Sequence, residues 1–241
     1  MELFKAKNGI IIELKSDSEK TIADIISATK DIPFIAGYKL NAESIILGGL
    51  ESAVRSIRKQ TSLPLIYDHQ KMGSDNSGIS GGNIIEKIKE SGVDAVVIMP
   101  YAGKEILERI IKDCNKVGLE TIICGDLPNK GYFNDEDGYI DTDSQQKIYL
   151  DAASLGVSHF LMSCNRIERI KIYCHQLDSI AGKLKIFFTA IESKECTNLP
   201  ESCSQLKQND IYAVFDNKFV DSAEYIDSLK VFWESFLNKL A

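Results

Sequence analysis

The sequence lacks features that would place the protein in a membrane or on nucleic acid. It shows no signal peptide and no apolar run of about 18 residues or more, the length that indicates a membrane span. It also lacks an excess of positive charge, since 28 basic residues face 35 acidic ones and the net charge is −7. We therefore expect a soluble, cytoplasmic protein that binds neither nucleic acid nor membrane, while a local anion site stays open.

Cysteine and histidine are present without the spacing of a disulfide framework or a metal site. The six cysteines form no C-x-x-C motif, and Cys124 and Cys164 lie in apolar, strand-like runs. This pattern is typical of free thiols in a cytosolic protein. His69, His159 and His175 have no metal-ligand spacing with any Asp or Cys, so we expect no metal site.

Apolar runs alternate with amphipathic segments along all 241 residues, of which 44% are hydrophobic. The runs predict eight strands, at 9–14, 34–39, 64–68, 93–98, 118–125, 157–162, 184–189 and 211–215. Amphipathic segments predict helices at 16–30, 42–59, 82–90, 103–117, 144–155, 167–181 and 221–240. Nearly all-apolar strands suit a parallel sheet covered on both faces, and the length fits one (β/α)8 TIM barrel. We therefore expect a single TIM-barrel domain over residues 1–241.

Motifs of the common open-sheet nucleotide-binding folds are absent. No G-x-G-x-x-G follows the first predicted strand, and no Walker pattern occurs. The long segment 126–143 after the fifth predicted strand contains Gly, Asn and acidic residues that offer little to bury. Barrels place lids at such positions, so we expect this loop to be mobile without ligand.

Charged residues follow the second and third predicted strands. Lys39 ends one apolar run, and Asp68-His69-Gln70-Lys71-Met72-Gly73-Ser74-Asp75 ends the next. Barrels carry their active sites at the C-terminal ends of the strands, so Lys39, Asp68, Lys71 and Asp75 are candidate catalytic residues. The alternative is a surface salt-bridge cluster, in which each pair contributes about 0–1 kcal/mol.

The spacing of Asp68 and Lys71 constrains the chain between them. Side chains alternate along a strand, so these two cannot share a face of a regular strand. We expect a bulge or an abrupt strand end near His69 and Gln70.

These motifs resemble orotidine 5′-monophosphate decarboxylase, in particular its microbial, barrel-only branch. The cluster 68–75 is similar to the family's Asp, Lys, Asp cluster, and Gly37-Tyr38-Lys39 is similar to its second-strand lysine. Segments 92–96, 138–143 and 156–160 also look like their counterparts in that branch. The resemblance therefore extends over most of the chain.

The resemblance implies decarboxylation of orotidine 5′-monophosphate (OMP) to UMP in pyrimidine biosynthesis, with no cofactor. By the family's pattern, Lys71 delivers the proton and Asp68 lies near the departing carboxylate, while Lys39 and Asp75 keep their partners ionised. The family pattern also places Asp75 at the neighbouring subunit's site, which implies a homodimer. Related sugar-phosphate lyases carry an acidic residue for Mg²⁺ at the position of Lys39, so the lysine favours the metal-free decarboxylase.

The phosphate-binding loops depart from the family pattern. Lys15 stands where the family has its ribose aspartate, a loop with Lys194 replaces the Gly-rich loop, and Asp216-Asn217-Lys218 replaces Gly-Arg. The candidate substrate-binding residues are Lys15, Lys194, Asn217 and Lys218, and we expect low or absent activity on OMP. Two alternatives stay open: an impaired decarboxylase-like barrel that binds another ligand or partner, and a Mg²⁺-dependent sugar-phosphate lyase of the same superfamily.

Overall fold

Eight parallel strands close into a barrel in the order of the sequence. The computed structural model describes residues 3–16, 18–46, 48–69, 72–74, 82–189, 206, 208–216 and 223–240. The strands are β1 (Asn8–Leu14), β2 (Ile35–Leu40), β3 (Leu65–Asp68), β4 (Ala95–Ile98), β5 (Glu120–Cys124), β6 (His159–Ser163), β7 (Lys185–Thr189) and β8 (Asp210–Asp216). Because β8 pairs with β1, the sheet has no free edge, and the predicted (β/α)8 TIM barrel is confirmed.

In the described part of the chain, helices follow most of the strands and cover the outside of the barrel. They are α1 (Glu19–Thr29), α2 (Ala42–Ile45), α3 (Gly49–Arg58), α4 (Gly82–Glu90), α5 (Lys104–Val117), α6 (Ser144–Ser154), α7 (Ile167–Ala181) and α8 (Ala223–Leu240). Short 3-10 helices lie at Asn134–Glu136 and Cys164–Arg166. None of the helices in the described part of the chain is long and apolar enough to cross a membrane.

The predicted continuous helix over 42–59 is wrong, because α2 ends at Ile45 and α3 begins at Gly49. Gly48 and Gly49 are adjacent, and glycine lowers helix stability. Gly49 has a φ of 74°, in the left-handed region that favours glycine. The apolar spacing continues across this break, so the sequence pattern predicted one helix where the structure has two.

Two apolar clusters hold the barrel together, one outside the sheet and one inside it. On β1, Ile10, Ile12 and Leu14 pack outward against the helices, and Ile11 packs inward. This alternation follows from the period of two along a strand. At the N-terminal side of the interior, Phe4 packs against aromatic rings of β7 and β8. The interior is therefore a filled core rather than a channel.

The chain turns sharply after β3. The strand ends at Asp68, and the amide of Met72 donates a hydrogen bond to the carbonyl of His69 (2.9 Å). The expected abrupt strand end near His69 is confirmed.

The cysteines differ in part from the expectation of free thiols. Cys114, Cys124 and Cys174 are free and buried. Cys164, directly after β6, is disulfide-bonded, so the prediction that all six cysteines are free is wrong. Sequence spacing does not reveal which cysteines lie side by side in the fold.

Candidate active site

The inner face of the barrel changes from apolar to charged at the C-terminal ends of β8, β1, β2 and β3. Ile11 lies in the interior cluster, and Glu13, two residues on, has the same inward direction. The register sets Glu13 beside Lys39 on one side and beside Asp216 on the other. With Asp68 at the end of β3, four adjacent strands deliver charged side chains to one part of the mouth.

Lys39 is a buried ammonium between two carboxylates. Its Nζ donates to Asp68 Oδ2 (2.5 Å) and to Glu13 Oε1 (2.9 Å). The side chains of Lys39 and Asp68 are each 4% exposed. Burial alone lowers the pKa of Lys39, but the charges of Asp68 and Glu13 outweigh it and raise the pKa above its ordinary value. Lys39 is therefore a fixed positive charge.

Lys15 extends this network to β8. Its Nζ lies 3.0 Å from Asp216 Oδ2 and 3.5 Å from Glu13 Oε2. Burial lowers the pKa of Lys15, and the carboxylates of Glu13 and Asp216 raise it by more. The result is a row of alternating charges that runs from Asp216 through Lys15, Glu13 and Lys39 to Asp68.

One oxygen of this row lacks a hydrogen-bond partner in the described part of the chain. Asp68 Oδ1 is buried and has no hydrogen-bond partner among the residues that the structure describes. A buried acceptor without a partner costs about 1–3 kcal/mol, so an N–H or O–H donor at this point would be bound favourably.

The structure thus joins three of the residues singled out from the sequence: Lys39 and Asp68 directly, and Lys15 through Glu13. The others lie outside the described residues, and their roles stay predictions: Lys71, Asp75, Lys194, Asn217 and Lys218.

Glu13 is the residue that the sequence reasoning missed. It is the only charged residue in the run 9–14 and lies at an inward position of the strand. The charge of Glu13 and its place in the alternating pattern of the strand are both visible in the sequence. The binding role was instead predicted for Lys15, which follows the run.

A second polar group lies at the ends of β5 and β6. Asp126 Oδ1 accepts a hydrogen bond from the amide of Ser163 (3.3 Å), and Oδ2 accepts one from Arg166 Nη1 (3.5 Å). Burial raises the pKa of Asp126 to about 6, although Arg166 and Ser163 act to lower it. Ser163 Oγ is buried without a hydrogen-bond partner in the described part of the chain.

Cys124 lies inside the barrel, in the interior cluster below this second group. Its Sγ donates to the carbonyl of Asp126 (3.1 Å). Burial, followed by the negative charges of Asp126 and Asp68, raises the pKa of Cys124 well above the ordinary value. The thiol is therefore protonated and unreactive at neutral pH.

The loop between β5 and α6 folds back onto the mouth. Tyr132 and Phe133 are buried and belong to the interior cluster, so the expectation that this loop has little to bury is wrong. The hydroxyl of Tyr132 hydrogen-bonds that of Tyr101, which donates to the carbonyl of Gly125 (2.8 Å). These two aromatic residues provide buried apolar surface that the mostly polar composition of the loop did not indicate.

Metal-ligand geometry is not seen in the part of the chain that the structure describes: no group of three or more His, Cys, Asp or Glu side chains there is arranged to hold a metal ion. At the mouth, the space between the carboxylates of Glu13 and Asp68 is occupied by the ammonium of Lys39.

The fold defines the chain as a (β/α)8 barrel, and comparison with solved structures shows that this fold is similar to that of orotidine 5′-monophosphate decarboxylases. Orotidine 5′-monophosphate decarboxylase from Methanocaldococcus jannaschii, in complex with the inhibitor BMP, matches with a TM-score of 0.73 and 15% identity, over 95% of this chain and 98% of that one. Orotidine 5′-phosphate decarboxylase from Pyrococcus horikoshii OT3 matches with a TM-score of 0.70 and 15% identity, over 94% and 98% of the two chains.

An uncharacterized conserved protein from Geobacillus kaustophilus has the same fold, with a TM-score of 0.67 and 12% identity over 94% of this chain and 99% of that one. No protein-family model matches the sequence, and no curated protein matches it. Identities this low establish the shared fold.

Proposed function

We propose that the protein is a decarboxylase that converts OMP to UMP without a cofactor, at low turnover. The observation that carries this proposal is the ammonium of Lys39, fixed between Glu13 and Asp68 at the barrel mouth. Three features support it together: this geometry, the sequence cluster 68–75 and the shared fold of the decarboxylases.

The chemistry requires stabilisation of negative charge on carbon. The bond between C6 and the carboxylate breaks heterolytically, CO₂ leaves, and the electron pair stays on C6, where the ring delocalises it poorly. A fixed ammonium beside C6 stabilises the transition state electrostatically. In this proposal Lys71 supplies that charge and transfers its proton to C6, and solvent then returns a proton to the amine.

The described residues have supporting roles in this proposal. Lys39 fixes the position of Asp68 through their hydrogen bond, and its ammonium balances the charge of that carboxylate. Asp68 lies beside the departing carboxylate, and its Oδ1, which has no partner among the described residues, accepts a hydrogen bond from a donor group of the bound nucleotide. Asp75 completes the neighbouring subunit's site, so we propose a homodimer.

Phosphate binding is the reason to expect low turnover. Binding energy from a remote phosphate group is used to stabilise the transition state, so weaker phosphate contacts lower kcat as well as affinity. Lys15 is already ion-paired with Glu13 and Asp216. In this proposal Lys194 and Lys218 bind the phosphate as point charges, without the bidentate fork of an arginine.

A second candidate function is a barrel that binds a different ligand and does not decarboxylate OMP. The observation that favours it is the pairing of Lys15 with Asp216, because that carboxylate competes with a phosphate for the same cation. A Mg²⁺-dependent lyase is disfavoured by Lys39, whose ammonium stands between the carboxylates that a metal would need.

The test is the loss of OMP absorbance with purified protein, with and without EDTA. We expect slow conversion that EDTA does not change, that Lys71→Ala abolishes, and that Lys218→Ala weakens through KM. A matched control is Lys87→Ala, because Lys87 is an exposed lysine of α4 paired with Glu90. Binding of a nucleotide without conversion would favour the second candidate, and inhibition by EDTA would favour the lyase.

A further inference from the structure

Asp216 and Lys15 form an ion pair where β8 and β1 end side by side. The register of the two strands sets Asp216 beside Glu13, and Lys15 comes two residues after Glu13 along the chain. Lys15 Nζ lies 3.0 Å from Asp216 Oδ2, whereas it lies 3.5 Å from Glu13 Oε2. Asp216 is therefore the closer of the two carboxylates that balance the charge of this ammonium.

The two members of the pair differ in how firmly they are placed. The side chain of Asp216 is 11% exposed, and the hydroxyl of Tyr225 in α8 donates to the backbone carbonyl of Asp216 (3.0 Å). This bond holds the end of β8 and hence the backbone that carries the carboxylate. The side chain of Lys15 is 29% exposed and is the more accessible of the two. An anion that approaches Lys15 therefore meets a lysine whose charge is already balanced by a fixed carboxylate.

The charge of the whole row at the mouth acts in the same direction. The row contains the carboxylates of Asp216, Glu13 and Asp68 and the ammonium groups of Lys15 and Lys39. Three negative and two positive groups leave this row with an excess of one negative charge. Such a row repels a phosphate dianion, and removal of one carboxylate would make the row neutral.

We propose that Asp216 is a specificity-determining residue that lowers the affinity of the barrel mouth for phosphate groups, because its carboxylate occupies the cation with which a phosphate would pair. This role rests on the proposed function, since the phosphate is taken to be that of a nucleotide, and it assigns part of the low turnover to one side chain. Asp216→Asn keeps the shape and an acceptor oxygen for Lys15 but removes the charge. Lys15 then has one fewer anion to balance it and binds phosphate as a point charge.

The experiment measures the dissociation constants of UMP and uridine by calorimetry, and that of inorganic phosphate by phosphorus NMR, at low ionic strength. In Asp216→Asn, UMP and phosphate should each bind about tenfold more tightly than in wild type, because one negative charge a few ångströms from a dianion has an effect of this size even with water-like screening. Uridine carries no phosphate and should bind both proteins with equal affinity.

Asp227→Asn is the matched control. It removes the same charge from an exposed ion pair with Lys230 on α8, away from the row at the mouth, and should bind all three ligands as wild type does. A double variant, Asp216→Asn with Lys15→Met, tests whether the gain depends on the lysine. It returns the row to the net charge of wild type, so the tighter binding of UMP and phosphate should disappear.

Unchanged affinities for UMP and phosphate in Asp216→Asn would overturn the proposal, as would the absence of any phosphate binding by that variant. An equal gain for uridine would also overturn it, because that result means a reshaped pocket. Tighter phosphate binding by Asp216→Asn, in a protein that binds neither UMP nor uridine, would support the role of Asp216 and contradict the proposed decarboxylation. UMP bound equally by both proteins would contradict the role of Asp216 and leave the proposed function standing.

Discussion

Lys39 illustrates the cost of removing one charge from a buried network. Lys39→Met leaves Glu13 and Asp68 buried without their shared cation, and we expect the free energy of unfolding to fall by about 3–5 kcal/mol. Urea denaturation at neutral pH measures this. The control is Arg55→Ala, since Arg55 forms an exposed pair with Glu51 and its loss should have no measurable effect. A Lys39→Met protein as stable as wild type would mean that the two carboxylates are not held in the geometry described.

Asp126 gives a second prediction at this scale, through the pH dependence of stability. Its pKa is raised from 3.8 to about 6 in the folded protein, mainly by burial, so the folded state binds more protons than the unfolded state between these values. Its contribution to stability is therefore full below about pH 4 and is lost as the pH rises through about 6, by roughly 3 kcal/mol in total.

The variant Asp126→Asn removes this titration. The unfolding free energy of the variant minus that of wild type should therefore increase between pH 4 and pH 7. Chemical denaturation at several pH values gives both curves. Parallel curves would show that Asp126 titrates alike in the folded and unfolded states.

Candidate site residues could be singled out from the sequence where an apolar run ended in charge. Lys39 and Asp68 each close such a run, which is why both were chosen as candidates and why the turn after Asp68 was predicted. Glu13 lies inside its apolar run and not at the end of it, so only its inward direction along the strand indicates that it faces the site. Arg166 and Asp126 come from segments 40 residues apart, and their contact depends on the neighbouring ends of β5 and β6.

At the scale of elements, the loop between β5 and α6 shows how a polar segment becomes ordered structure. A Cβ at Gly138 would lie 2.2 Å from backbone atoms of Tyr132, so Gly138→Ala forces the two sides of the loop apart. We expect faster hydrogen exchange at the amides of Asn134 and Ile140, which are bonded within the loop. A suitable control is Gly48→Ala, where the nearest atoms lie 3.5 Å from the new Cβ. Unchanged exchange in the Gly138 variant would contradict the tight packing of this loop.

Strands and helices could be predicted wherever apolar spacing was unbroken, as in α7, for which the predicted bounds of 167–181 agree with the structure. The break between α2 and α3 was missed because two adjacent glycines interrupted the backbone without interrupting the apolar pattern. The prediction that the loop after β5 has little to bury was wrong because it rested on the average composition of the loop, whereas Tyr132 and Phe133 are buried in the interior cluster.

At the scale of the whole molecule, the closed barrel brings the ends of distant segments to one face. Residues from β8, β1, β2 and β3 form one row of alternating charge there. If Lys194 and Lys218 bind the phosphate as point charges, the affinity for OMP should fall as salt rises from low to physiological ionic strength. Measurement of KM across that range tests this prediction, and a KM that ignores salt would contradict it.

The most direct test of the decarboxylase proposal is the release of labelled CO₂ from OMP that carries the label in its carboxylate, followed over hours so that slow turnover is detected. Wild type should release CO₂ and form UMP in equal amounts, well above the uncatalysed background. Lys71→Ala should do neither, and Lys87→Ala should match wild type. Release by wild type no faster than the background, at protein concentrations where the nucleotide is bound, would contradict the account.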